Sequence, residues 1–197
     1  DFETHGRQPI ELALSRDGVT WTRPFRSEPF FPAGGVEQFD AGRIWSSGTL
    51  VIVGDEMRFY YGAYEHPWQF AGGPTWDARA RPPRSGIGVA VLPRDRFAGV
   101  RPIATVGQVT LKPREFRVGT RLTLNANAAA GRIRVELLDA AGYRVSGFSK
   151  SDAVPVGTDG LDLAVAWKTK PAGDLPAGRF QVRLHLENAE LFAVTFR

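Results

Sequence analysis

The chain has 197 residues, 43% of them hydrophobic and 11% aromatic, which is enough to bury one real core or two small ones. Its net charge of +4, from 25 basic and 21 acidic residues, is a mild excess spread along the chain, and it argues against a phosphate-tracking nucleic-acid surface. The absence of cysteine excludes disulfides and thiolate metal sites, and the longest apolar runs are of strand length, which gives no membrane-spanning helix.

Fourteen prolines and 22 glycines suit many tight turns, and no window keeps an apolar stripe at helical spacing for three turns. The expectation is an all-β protein. In chain order, Ile10-Glu11-Leu12-Ala13-Leu14 reads as a strand. Ser15-Arg16-Asp17-Gly18 reads as its turn, with Asp17 bonding its own downstream backbone and Gly18 supplying a positive φ. Val19-Thr20-Trp21 reads as the return strand, with Trp21 as a plug. Residues 22–38 hold three prolines and Phe25, Phe30 and Phe31, and read as an irregular connection pinned by aromatics.

The stretch from Phe39 to His66 carries most of the functional interest. Three strand-like runs, Phe39–Trp45, Leu50–Glu56 and Met57–His66, are broken at Ser47-Gly48 and Gly54-Asp55, both read as hairpin turns. Gly86–Leu92 adds a fourth strand. Four antiparallel strands of this kind make a propeller blade. Asp40 opens the first run and Glu65-His66 closes the last, so all three fall at the mouths of the sheet, where sites are usually built. Between them and the fourth strand lies a long loop, Pro67–Arg84, with Trp68, Phe70, Trp76 and the cluster Arg79-Ala80-Arg81-Pro82-Pro83-Arg84. The arginine cluster reads as a solvated loop. The tryptophans suit stacking on sugar rings, or else simply close the sheet edge.

Pro93–Gly99 reads as a turn and a joint, with Asp95 paired to Arg94 and Arg96 or solvated. Beyond it the pattern is that of a β-sandwich: Val109–Leu111, Phe116–Val118, Arg121–Asn125, Arg132–Leu137, Leu161–Trp167, Phe180–Leu186 and Leu191–Phe196. In Arg132–Leu137 the strict alternation sends Ile133, Val135 and Leu137 inward. His185 falls on the outward phase of its strand and reads as a surface residue. Three scattered histidines and no cysteine give no metal cluster, and no cofactor motif is visible.

The run FDAGRIW…GTLVIVGDEMRFYYGAYEH…SGIGVAVLPRDRFAG resembles the closing blade of five-bladed β-propeller proteins related to glycoside hydrolase families 32 and 43. Ser15–Trp21 is similar to their S-x-D-G-x-x-W blade element, although it is one residue shorter than the sialidase Asp-box. The pattern from Gly107-Gln108-Val109-Thr110 through Val165-Ala166-Trp167-Lys168 to Ala189-Glu190-Leu191-Phe192 resembles the sandwich module of the same proteins.

The resemblance implies a propeller end in 1–99, about one and a half blades, and a sandwich in 100–197. It implies a secreted or periplasmic glycoside hydrolase acting on a polysaccharide or oligosaccharide. Such enzymes need two carboxyl groups flanking the scissile bond, here Asp40 and Glu65. His66, Tyr61, Trp68, Trp76 and Arg43 would bind the sugar. A whole five-bladed propeller needs more chain than precedes residue 99, so the missing blades would come from a preceding segment or a second chain. The alternative is a non-catalytic carbohydrate-binding or structural module. Carbohydrate is the expected partner, with neither nucleic acid nor membrane.

Overall fold

The computed structural model describes residues 7–26, 28–35, 37–65, 84–170 and 175–197. Every helix or strand among them is a β-strand, gathered into antiparallel sheets, so the all-β expectation holds. The chain divides into two compact units, Asp1–Val91 and Leu92–Arg197.

In the first unit, β1 (Leu14–Ser15) and β2 (Trp21–Thr22) form a short hairpin. Its turn is built as the sequence indicates. Asp17 Oδ1 accepts the N–H groups of Val19 (2.9 Å) and Thr20 (2.7 Å), and Gly18 has φ +74°. Two local readings change. Ile10 exchanges backbone hydrogen bonds with Phe31 as an isolated bridge, so 10–14 is not a continuous strand. Trp21 is 61% exposed, and its indole N–H donates to Gly18 O, so it plugs no core.

The main sheet of this unit is built on β5 (Glu56–Tyr64), which pairs with β3 (Arg43–Ser46), β4 (Val51–Val53) and β6 (Ser85–Pro93). Gly54-Asp55 is a true two-residue hairpin, since Val53 faces Glu56 and Gly54 has φ +59°. Ser47-Gly48 is not. Both β3 and β4 run antiparallel to β5, so they share one direction. The chain passes through Ser47–Leu50 without reversing, and β3 and β4 take successive stretches of β5. Ser47 Oγ donates to Thr49 O, and Ser47 N–H donates to Tyr60 O, which holds the irregularity in place.

The core between these strands is small. Ile44, Tyr61 and Ala63 are buried, with Ile10, Phe31, Ala33, Phe39 and Ala90 packed on them. Val51, Ile52 and Val53 of β4 and Ile87, Val89 and Val91 of β6 stay exposed.

The second unit has two sheets. In one, β12 (Gly178–Glu187) pairs with β10 (Arg132–Asp139), β7 (Val106–Thr110) and β8 (Arg114–Phe116). In the other, β9 (Leu122–Asn127) lies between β11 (Asp159–Ala164) and β13 (Glu190–Phe196). Alternate residues of both sheets enter one core: Leu122, Leu124 and Ala126 from β9, Ile133, Val135 and Leu137 from β10, and Val182, Leu184 and Leu186 from β12. Burying each such Leu, Ile or Val stabilises by roughly 1.5–3 kcal/mol. Trp167 is buried against Phe148, and its indole N–H is satisfied by Val135 O at 2.9 Å.

The free edge of β10 is covered by residues 143–156. Ile133 and Val156 exchange backbone hydrogen bonds, and Leu137 is bonded to both Val145 and Phe148. This protects an edge that would otherwise offer unpaired backbone groups. The segment after β6 is pinned to the same unit. Arg96 reaches Asn125 Oδ1 (2.8 Å) and Asp159, and its guanidinium stacks 4.7 Å over Phe192. Arg94 pairs with Asp162 at 3.1 Å. Asp95 takes neither arginine: it is exposed, with φ 61°.

Candidate functional site

Asp40 sits in the turn that leads into β3. The Tyr61 hydroxyl, on β5, donates to Asp40 Oδ2 at 2.9 Å. Tyr61 is wedged between aromatic rings, stacked on Phe39 (6.0 Å, 13°) and edge-on to Phe31 (4.8 Å, 77°). Glycine is required on two sides of this pair. A Cβ at Gly34 would overlap the Asp40 carboxylate, and one at Gly88 would overlap the Tyr61 ring. Burial, then the hydrogen bond and charge of Asp40, push the Tyr61 phenol up to about 12. Tyr61 is therefore a neutral donor whose proton is committed to Asp40.

Glu65 follows β5 directly and is 9% exposed. Arg84 meets it three ways. The Arg84 amide N–H donates to Oε2 at 3.1 Å, Nη2 lies 3.1 Å from Oε1, and Nε lies 3.4 Å from Oε2. The Glu65 N–H also donates to Arg84 O. Glu65 and Arg84 thus clasp the two residues that flank 66–83. His66, Trp68 and Trp76 lie outside the described residues.

Arg43 opens β3, opposite Tyr64. Its guanidinium lies 5.2 Å over the Trp45 ring and 5.5 Å over the Tyr64 ring, and these two rings meet edge to face at 5.3 Å. All three side chains stand on one face, because residues 43 and 45 alternate in phase and Tyr64 is cross-strand from 43. Trp45 is opposite Gly62, and no described residue stands within 4 Å of where a Gly62 side chain would be. Trp45 and Tyr64 each stay 43% exposed.

Comparison with protein-family models, curated proteins and solved structures finds no match to this chain. The glycoside hydrolases therefore enter only as a resemblance carried by the quoted residues.

The second unit holds a polar cluster on the outer face of its larger sheet. Glu136 on β10 is 1% exposed. His185 Nε2 lies 2.9 Å from Glu136 Oε1, and Arg183 Nη1 lies 3.4 Å from the same oxygen. Arg144 Nε stands 3.6 Å from Oε2, which accepts no hydrogen bond among the described residues. Burial alone would raise the Glu136 carboxyl. The His185 hydrogen bond and charge, with smaller help from the Lys150 amide and Arg183, more than offset it and hold the carboxyl below its usual range. An ionised carboxylate only accepts, so His185 carries its hydrogen on Nε2.

Nothing in the β10 pattern alone marks Glu136 for burial. The usable signal lay across three strands: Arg132, Arg134 and Glu136 on β10 run beside Arg183, His185 and Glu187 on β12 and Gln108 and Thr110 on β7.

Proposed function

We propose that this chain binds carbohydrate through the Arg43–Trp45–Tyr64 face of its first unit, and that binding, rather than bond cleavage, is what its own residues supply. The observation that carries this reading is the open aromatic wall: two half-exposed rings with a guanidinium over both and a glycine opposite the tryptophan. The CH faces of a sugar pack against such rings, while a guanidinium donates to hydroxyls. Within this reading the sheet on β5 is the last blade of a propeller. The two sheets of 92–197 are a β-sandwich. The remaining blades lie on a preceding segment or a second chain of a secreted protein.

The candidate acids support binding over cleavage. A glycosidase needs one carboxyl held protonated as the acid. Both Glu65 oxygens are already engaged by the Arg84 guanidinium and amide within the fold. One observation keeps a hydrolytic reading as the second choice. Asp40 precedes Arg43, and Glu65 follows Tyr64, and these are cross-strand partners, so both carboxylates belong to the same end of the β3–β5 pair.

The test is affinity electrophoresis in soluble glucans, xylans and arabinans, with pull-down on cellulose and chitin. Wild-type protein should be retarded by at least one of them. Trp45→Ala and Tyr64→Ala should each weaken binding by about fivefold, the worth of roughly 1 kcal/mol of ring contact. Equal retardation of wild type and both variants, or retardation by no glycan, would sink the reading. Release of reducing ends by the chain alone, lost in Asp40→Asn, would instead favour hydrolysis.

A further inference from the structure

We propose that the outer face of the β7–β12–β10 sheet is a binding site for an oxyanion, centred on Arg134, His185 and Lys150. A depression of about 300 Å3 lies there, lined among others by Gln108, Arg132, Arg134, Lys150, His185 and Glu187. That volume is at the small end of ligand sites.

The register of the strands explains why this place attracts an anion. Three cross-strand rows cross the face. In one, Arg132 is opposite Glu187, and the two form a double ion pair at 2.7 and 2.9 Å. In another, Glu136 is opposite Arg183, which bonds both Glu136 and Thr110. The row between them is Arg134, His185 and Gln108. It contains a cation, an imidazole and an amide, and no acid. Arg134 has no ion pair or side-chain hydrogen bond among the described residues, and neither does the Lys150 ammonium beside it. Of the acids in the two flanking rows, Glu187 is spent on Arg132, and the buried Glu136 on Arg183 and on the His185 ring, so neither is left for Arg134 or Lys150. The middle row therefore keeps an uncompensated positive charge in a concave place.

The buried carboxylate beneath supplies the positioning. Glu136 fixes the His185 ring through Nε2, which leaves Nδ1 without a partner among the described residues. On protonation Nδ1 becomes a second donor, and Gln108 offers its amide N–H2. A carboxylate, sulfate or phosphate group presents the several acceptor oxygens that such converging donors need. The inference does not rest on the sugar reading of the first unit, although an acidic sugar would carry such a group.

The test uses NMR of the His185 ring, one of only three imidazoles in the chain. The probes are inorganic sulfate, inorganic phosphate and glucuronate, each titrated against chloride at matched ionic strength. At least one probe should give a saturable shift of the His185 signals. Arg134→Ala and Lys150→Ala should each weaken that binding roughly tenfold, the loss of one charge-assisted hydrogen bond. Lys150 is exposed, so its variant folds even if the Arg134 variant does not. Saturation by glucuronate alone would assign the site to a carboxylate, and saturation by sulfate or phosphate to a tetrahedral anion. A response equal to that of chloride means salt screening only and overturns the proposal. So does binding by both variants at wild-type strength.

Discussion

Replacing Glu136 by Gln is the most direct probe of the second unit's polar cluster. The side chain keeps its size, so no cavity opens, but it loses its charge. The contact to His185 at 2.9 Å then falls from a charge-assisted to a neutral hydrogen bond, which is worth roughly 1–1.5 kcal/mol less. With Oε1 still accepting from His185, the new amide N–H2 takes the place of Oε2 beside Arg144, which offers no acceptor, and a buried donor without a partner costs about 1–3 kcal/mol. Relief from burying a charge offsets part of this, and Arg144, largely exposed, contributes little to the pair. The net loss should be about 2 kcal/mol. For a unit of this size that lowers Tm by roughly 8–15 °C. The pH dependence follows from the lowered Glu136 pKa. Stabilisation by such a carboxylate is fully present above its ordinary value of 4.5 and is lost as the pH falls through its lower folded value. The Gln variant has nothing to lose there, so its deficit should be full at neutral pH and close below pH 4.5. Urea unfolding followed by the fluorescence of Trp167, the one tryptophan of the second unit, measures both. Equal midpoints at neutral pH, or a deficit that persists in acid, would refute the argument.

Tyr61→Phe should cost the first unit about 1–2 kcal/mol, because it removes the hydroxyl that bonds Asp40, and chemical denaturation will read it. The Tyr61 phenol, raised to about 12, contributes stability that is present below the ordinary value of 10.0 and lost as the pH climbs through 12, so ultraviolet titration should show it ionising last, together with unfolding. Asp17, lowered to about 2 by the Thr20 and Val19 amides and the Ser15 hydroxyl, should titrate near 2 by carboxyl-carbon NMR, and a midpoint near its ordinary 3.8 would mean the turn is open in solution. Arg96→Ala should destabilise the second unit by roughly 2–3 kcal/mol, since it strips partners from the buried Asn125 and from Asp159, whereas Ile87→Ser on the bare face of β6 should change stability by less than about 0.5 kcal/mol.

Local chemistry was legible in the sequence and long-range chemistry was not. Asp17 and Gly18 declare their turn because every partner lies within three residues. Ile133, Val135 and Leu137 declare an inward face because alternation is a property of the strand itself. The same alternation sends Glu136 outward, which is true of its direction and false of its burial. What covers it arrives from Arg144, Lys150, Arg183 and His185, none of them on its own strand. Ser47-Gly48 misleads for a related reason. A Ser-Gly pair between two apolar runs is written alike whether the chain reverses or merely bulges, and only the pairing of both runs with β5 decides.

The candidate site repeats the pattern. Asp40 and Tyr61 lie 21 residues apart, and Glu65 and Arg84 lie 19 apart, so neither partnership is visible as spacing. Each carboxylate looked available from its place at a strand end, and each has a donor of its own. Arg43, Trp45 and Tyr64 show the opposite case. They converge because a short antiparallel pair fixes which residues share a face, and Gly62 adds no side chain to that face. On the proposed reading, ligand binding by the first unit would rest less on its acids than on the side of the sheet they do not occupy, since a group already satisfied within the fold has little left to offer a ligand, and half-exposed rings have a great deal.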